Sequence, residues 1–412
     1  MSKENIWIIC HYAQQPPLNT MLRYHNWGKE LVKRGYSVTI VAASTIHNTD
    51  IDIVEKNGKT EDICDGVQYK YIKTPKYSGN GMQRIKNMLS FCFGLKRFKK
   101  QKPDVIVNCE AYLFPFVKHY FKSVPVVTDT VDLWPESIIE YAGYSKINPI
   151  IRVLYRLERN AYLKSDAMIF SMEGGVDYLK EQSYSKKIDY KRVFHINMGC
   201  DISQKDIELE SIHFDLGWKE NKYNIVYCGS VRKANQVKQI CEAAQEIKSR
   251  GYDDIFFHVY GNGEDLDELR RFSIGNKIDN IAFYGRIEKS KIPFILSHSD
   301  ANVLTYKQVP LMKYGGSQSK LFDYLASGKP IISNAVFGYN LLERYDCGLV
   351  TKNQSSTAFA DTVIELYNMP KDKQESMGNN GRKVAELYDQ PKLVDKFLEV
   401  VAFVRRERES VL

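Results

Sequence analysis

Residues 314–334 read YGGSQSKLFDYLASGKPIISN and bring a glycine pair, a cation and a carboxylate to the start of one short helix. Gly315 and Gly316 let backbone approach a ligand closely. Ser317 is the expected N-cap, its hydroxyl accepting from a free amide of the first turn. Such a helix start presents unpaired N–H groups and a positive dipole end, which suits an anion. Lys320 adds a mobile charge. Asp323, one turn on, can accept hydrogen bonds from a vicinal diol. Phosphate recognition next to diol recognition points to a nucleotide. Leu321, Phe322 and Leu325 share the opposite face and belong to a core, Gly328 closes the helix, and Ile331-Ile332 opens a buried strand.

Other groups stand where strands end. Gly229-Ser230-Val231-Arg232-Lys233 follows an apolar strand at 224–227, and an open α/β sheet binds its ligands at the carboxyl ends of its strands. The glycine turn places backbone amides and the cations Arg232 and Lys233 there, although a solvated basic turn would look the same. Gly261-Asn262-Gly263-Glu264 also leaves a strand and opens a helix, a pattern shared by many sharp turns. Arg286-Ile287 follows a third strand. In the first half, the loop at 14–25 offers Thr20, Arg23 and His25, and 130–136 (TVDLWPE) offers Asp132, Trp134 and Glu136. A lone His at a helix start, such as His25, is more often structural than catalytic, and Glu136 can equally charge the start of the following helix.

The elements that must hold these groups alternate along the chain. Apolar runs at 6–10, 36–43, 68–72, 105–108, 124–129, 167–171 and 193–197 read as strands, with helices over 21–33 and 82–100. Continuous apolar strands suggest a parallel sheet covered on both faces. Residues 201–222 are polar and irregular and read as a linker. The alternation then restarts with strands at 224–227, 255–260, 281–284 and 301–305. The expected organisation is a first domain over 1–200, a second over 223–390, and a last helix at 391–412 returning to the first.

At 412 residues and 43% hydrophobic content, the chain can bury two cores. Its charge is uneven. Residues 1–200 hold 29 Lys and Arg against 20 Asp and Glu, whereas the rest hold 29 against 30. A basic first half and a neutral second half point the first half at an anionic surface. The eight cysteines form no C-x-x-C pair, and several lie in apolar runs, so reduced buried thiols are expected rather than disulfides or a metal site. The chain opens on a strand without a signal-peptide pattern, and no apolar run is long enough to span a bilayer. The expected location is cytoplasmic, peripheral on the inner face of the cell membrane.

Residues 314–334 resemble the donor-site signature of glycosyltransferase family 4, in the branch that builds bacterial surface polysaccharides. The resemblance rests on Tyr314-Gly315, Ser317, the run Lys320-Leu321-Phe322-Asp323-Tyr324 and Gly328-Lys329-Pro330. The broader family has two glutamates here; the second position is Asp323 and the first is Gly315. Phe283-Tyr284-Gly285-Arg286-Ile287, Ser299-Asp300 and Asn197-Met198-Gly199-Cys200-Asp201 extend the likeness, and Asp132, Trp134 and Glu136 match the branch's Asp-Leu-Trp-Pro-Glu run. The resemblance implies an α/β, GT-B fold, two Rossmann-like parallel-sheet domains facing across a cleft. It implies a retaining hexosyltransferase that uses a nucleotide-diphosphate sugar, UDP by family habit, with no cofactor and no metal. The implied donor set is Gly229, Gly261, Gly263, Arg286, Ile287, Gly315, Gly316, Ser317, Lys320, Leu321 and Asp323. Asp132, Arg232 and Lys238 are the implied catalytic residues, with Thr20, Arg23, His25, Trp134 and Glu136 on the acceptor side. The expected partners are a polyprenyl-diphosphate-linked acceptor and an anionic membrane.

Two rivals predict different behaviour. A nucleotide-sugar epimerase of the same fold would need no acceptor. A basic nucleic-acid binder would interleave aromatic residues with Lys and Arg, and no such stripe is present. A Rossmann dehydrogenase is disfavoured because no G-x-G-x-x-G follows the first strand.

Overall fold

A computed structural model describes residues 4–18, 22–47, 49–79, 81–219 and 221–409. The chain divides into two compact units, Met1–Asn197 with Gln390–Leu412, and Met198–Asp389.

The first unit is built on eight strands: β1 (Asn5–Ile9), β2 (Ser37–Ala43), β3 (Glu61–Cys64), β4 (Val67–Ile72), β5 (Val105–Asn108), β6 (Val126–Thr130), β7 (Ala167–Phe170) and β8 (Val193–His195). They lie in the order β3-β4-β2-β1-β5-β6-β7-β8. The β3–β4 hairpin is antiparallel and the other pairs are parallel, with Ile8 opposite Ile40 on one side and Val107 on the other. β5 is buried along its whole length, as a strand covered on both faces must be. The helix Arg23–Lys33 packs over the sheet through fully buried Trp27 and Leu31. The helix Gln390–Glu409 lies against it, with the Phe397 ring 5.0 Å from Trp27. The helix expected over 82–100 is regular only over Met82–Gly94 and then tightens to a 3-10 turn at Leu95–Phe98. Gly94 sits where a Cβ would lie 2.2 Å from Ile72, so the chain presses directly on the sheet there.

The second unit holds β9 (Tyr223–Cys228), β10 (Ile255–Tyr260), β11 (Ile281–Gly285), β12 (Ala301–Leu304), β13 (Ile331–Ser333) and β14 (Gly348–Val350). Their order is β11-β10-β9-β12-β13-β14, and each pairing is parallel. Its core joins β9, β10 and β12 to the helices Val237–Ser249 and Ser356–Asn368. The stretch 201–222 is not irregular throughout. Residues Ile202–Ser211 form a helix capped by Asp201, whose carboxylate accepts from Gln204 N–H at 3.0 Å. Only Ile202 is buried on it, so its sequence carries little apolar periodicity and reads as loop.

Candidate functional site

The site begins where β9 and β10 end. Gly229 N–H donates to Tyr260 O at 2.9 Å, Val231 N–H to Asn262 O at 2.9 Å, and Gly261 N–H to Gly285 O at 2.7 Å. The two loops thus run on side by side past the sheet. A Cβ on Gly261, which has φ +146°, would lie 1.7 Å from Gly229 O, and one on Gly263 would lie 2.1 Å from Val231 O. Both glycines are demanded by this backbone contact before any ligand is considered. Asn235 braces the turn, donating from Nδ2 to Ser230 O at 2.6 Å and to Ser230 Oγ at 2.7 Å.

The helix Ser319–Ala326 is fastened to the same strand end. Tyr324 Oη accepts from Cys228 N–H at 2.9 Å and donates to Cys228 O at 3.1 Å. This places Lys320 beside Gly229, where a Cβ would lie 3.3 Å from Nζ. The ammonium rests on two rings, 4.2 Å from the Tyr306 centroid and 4.8 Å from that of Tyr227, and donates to Tyr227 Oη at 3.2 Å. Among the described residues no carboxylate pairs with it. Burial therefore dominates and pushes its pKa down to about 7. A half-buried lysine held by rings and a hydroxyl is a cation kept ready for an anion.

Ser317 is not the cap expected of it. The helix starts two residues later, with Gln318 in the extended cap conformation and no side-chain cap bond. Gly315 turns the chain at φ +105° after the 3-10 turn Pro310–Tyr314, and a Cβ on Gly316 would lie 2.5 Å from Gln318 Oε1. Leu321 is core, and its N–H is spent on Gln318 O. Asp323 is half-buried, and its Oδ1 meets Lys205 Nζ at 2.5 Å. Burial alone would lower Lys205, but the nearby charges of Asp323 and Cys200 outweigh it and raise its pKa. Sequence reasoning missed Lys205 because its helix looked like linker.

The two expected diphosphate cations differ. Arg232 is exposed at the start of the 3-10 turn Lys233–Asn235, with no ion pair among the described residues. Lys238 lies on the helix Val237–Ser249, 3.6 Å from Glu242 and 5.3 Å from the Phe272 ring, so its charge is directed along its own helix. Arg286 is exposed and Ile287 half-buried just beyond β11.

Residues 209–384, within the second unit, match the family model described as glycosyl transferases group 1. The fold is GT-B. Crystal structures of GT-B enzymes align along nearly the whole chain. WaaG, a glycosyltransferase involved in lipopolysaccharide biosynthesis, matches at TM-score 0.68 and 13% identity, over 96% of this chain and 99% of that one. Anabaena HepE, solved with UDP and glucose, matches at TM-score 0.68 and 12% identity, over 97% and 99%. An uncharacterized glycosyltransferase of Methanocaldococcus jannaschii is 27% identical over 220 residues, which is 48% of this chain and 52% of that protein. The chain thus spans about half the length of this curated relative.

In the first GT-B domain the expected acceptor residues part company. Thr20 lies outside the described residues. Arg23 does not face outward: it is buried, its Nε and Nη2 lie 2.9 and 3.2 Å from the Asp129 carboxylate, and Nη1 and Nη2 reach Asn197 O and Ile196 O at 2.8 Å. It clamps its helix to β6 and to the chain after β8. His25 also turns inward. Nδ1 bonds Tyr69 Oη at 2.8 Å and Nε2 bonds Asp65 at 2.9 Å, both partners in the β3–β4 hairpin. Cys64, His25 and Asp65 bring donor atoms within 4.8 Å of one another there. The long partners of Arg23 and His25 are remote in sequence, which is why a polar loop concealed their burial.

Trp134 is partly buried on the core, 5.9 Å from the Tyr112 ring. Glu136 opens the helix Glu136–Ala142 and pairs with Lys146 at 3.0 Å, a helix-start role. Asp132 stands just past β6, reached by solvent yet crowded enough that desolvation raises its pKa. Two further groups share its level. Glu110, just past β5, accepts from Cys10 Sγ at 3.3 Å and His11 N–H at 3.1 Å, and burial pushes it up to about 8. His11, just past β1, is lowered to about 3 by burial and bonds Tyr112 Oη and Asn87 Oδ1. The rule that singled out Asp132 at a strand's carboxyl end finds these two as well. Asp-x-Asp pairs do occur, at 50–52 and 265–267. Asp52 is spent on capping, accepting from Val54 N–H and Glu55 N–H.

Proposed function

We propose that the protein moves a hexosyl group from a UDP-sugar to a lipid-linked or saccharide acceptor, with retention of configuration, in assembly of a surface polysaccharide of capsule or O-antigen type. The observation that carries the reading is Lys320, a cation without a carboxylate partner among the described residues, set beside the Gly229 loop and a helix start in the stretch that matches the group 1 model. In the reaction the bond from the anomeric carbon to the diphosphate oxygen breaks, a bond to the acceptor oxygen forms, and the acceptor hydroxyl's proton passes to the departing diphosphate. The charge left on the diphosphate falls to Lys320, Arg232 and the first N–H groups of Ser319–Ala326, a preorganised set that lowers the barrier without a metal. The second carboxylate oxygen of Asp323, not engaged by Lys205, is placed to accept from the ribose diol. The UDP preference follows HepE, whose structure holds UDP and glucose. The polysaccharide setting follows the resemblance to the family 4 branch and the role of WaaG.

In this reading Asp132 and Trp134 face the acceptor, which is polyprenyl-diphosphate-linked and held in the cytoplasmic leaflet. The basic first half of the chain then meets the anionic membrane surface. Among the described residues no helix is long and apolar enough to cross a bilayer. Incubation with a panel of UDP-hexoses, reading UDP release and the anomeric configuration of the product, tests the proposal. Release with an α product from an α donor supports it. A β product overturns retention, and absence of both release and UDP binding overturns the nucleotide-sugar reading.

A further inference from the structure

The second charged feature of the molecule lies at the amino ends of β5 and β6, the sheet edge opposite Asp132. An open cavity of about 400 Å³ is lined there by Lys96, Lys99, Lys102, Lys122 and His119, and no Asp or Glu lines it. None of the four lysines has an ion pair among the described residues. The contrast is local: Lys118, beside His119, pairs with Asp166 at 2.9 Å. Arg408, from the helix Gln390–Glu409, bonds Ser123 O on the rim. Like charges gathered without balancing acids cost the folded protein repulsion, and such a concavity concentrates anions.

A row of exposed apolar side chains leads to this cavity. Met82, Ile85, Leu89 and Phe93 recur every three or four residues along Met82–Gly94 and so share one helix face, with Met82 69% and Phe93 59% exposed. The Phe93 ring meets Phe116 at 5.3 Å, on the helix Phe114–Tyr120 that supplies His119.

We propose that this cavity binds a phosphate-bearing anion with at least two closely spaced charges, either an anionic lipid headgroup or a free diphosphate. The apolar row beside it fits the headgroup, since the row would enter the acyl boundary as the phosphate seats among the lysines. The inference deepens the membrane side of the proposed function and is independent of the transfer chemistry.

The test compares wild type with the triple variant Lys96→Gln, Lys99→Gln, Lys102→Gln, whose exposed side chains can change without disturbing the core. Pyrophosphate is titrated calorimetrically, with Lys320→Met in both backgrounds to remove the second-unit cation. Separately, protein is sedimented with phosphatidylcholine vesicles with and without phosphatidylglycerol. Pyrophosphate binding that weakens at least tenfold in the triple variant supports the site with a free ligand. Binding only to anionic vesicles, lost in the triple variant and reduced by Met82→Ser with Leu89→Ser, supports it with a headgroup. Vesicle binding unchanged in the triple variant overturns the cavity while leaving the membrane reading standing. Failure of wild type to bind either probe overturns both.

Discussion

Lys205 Nζ lies 2.5 Å from Asp323 Oδ1, so a residue of the Ile202–Ser211 helix holds the Asp323 carboxylate of the candidate nucleotide site. The pair has two consequences. It fixes the orientation of the Asp323 carboxylate before any ligand arrives. It also leaves one carboxylate oxygen for a ribose diol, because an ionised carboxylate accepts on both oxygens. Asp323→Ala is expected to weaken UDP binding by about 1.5–3 kcal/mol, the range for a hydrogen bond to a charged group. Lys205→Met should weaken it less, since the acceptor remains. Calorimetric titration of both variants decides; wild-type affinity in Asp323→Ala removes the ribose assignment.

Lys320 carries a pH signature. Its pKa is about 7 in the folded protein against 10.5 for a solvated lysine. The unfolded chain therefore binds the extra proton between these values, and the penalty for burying Lys320 is full below about pH 7 and fades as pH rises toward 10.5. A bound diphosphate favours the charged form, so binding takes up a proton. UDP affinity should fall between pH 7.5 and 9.5, by at most tenfold per unit, with proton uptake visible in buffers of different ionisation enthalpy. Lys320→Arg, charged throughout this range, should lose that dependence.

Arg232 and Lys238 should separate in kinetics. Arg232 is exposed and unpaired among the described residues, while Lys238 is held by Glu242. Arg232→Ala is expected to lower kcat at least tenfold with a smaller effect on UMP binding, since a monophosphate lacks the leaving charge. Lys238→Ala should change kcat less than twofold. The reverse ranking would move the diphosphate contact onto the Val237–Ser249 helix.

The strand and helix alternation and the glycine turns could be read from residue pattern alone, because burial on both faces writes itself into continuous apolar runs such as Val105–Asn108; the order of the strands and the antiparallel β3–β4 edge could not. What stayed hidden depends on long-range partners. Arg23 looked like an exposed loop cation, yet Asp129, 106 residues away, takes it into the interior. The Ile202–Ser211 helix buries a single residue and leaves no periodicity to detect. Gly261 and Gly263 were legible as a turn, but their reason, contact with the backbone of 229–231, is visible only in three dimensions.

Arg23 and Asp129 give a stability prediction distinct from activity. Both are buried and joined by two hydrogen bonds, so removing one leaves the other charge uncompensated. Arg23→Ala is expected to cost about 3–5 kcal/mol in denaturant unfolding. Arg23→Lys should recover only part, because an ammonium cannot reproduce the forked contacts to Asp129, Ile196 O and Asn197 O.

The central claim is that the second unit binds a nucleoside diphosphate between the Gly229 loop and the Ser319–Ala326 helix. Calorimetric titration of UDP into wild type and Lys320→Met tests it most directly. The account predicts one site in wild type and at least a tenfold loss of affinity in Lys320→Met, with thermal unfolding of the free variant at or above the wild-type temperature. Absence of UDP binding by wild type, or equal affinity in the folded variant, would contradict it.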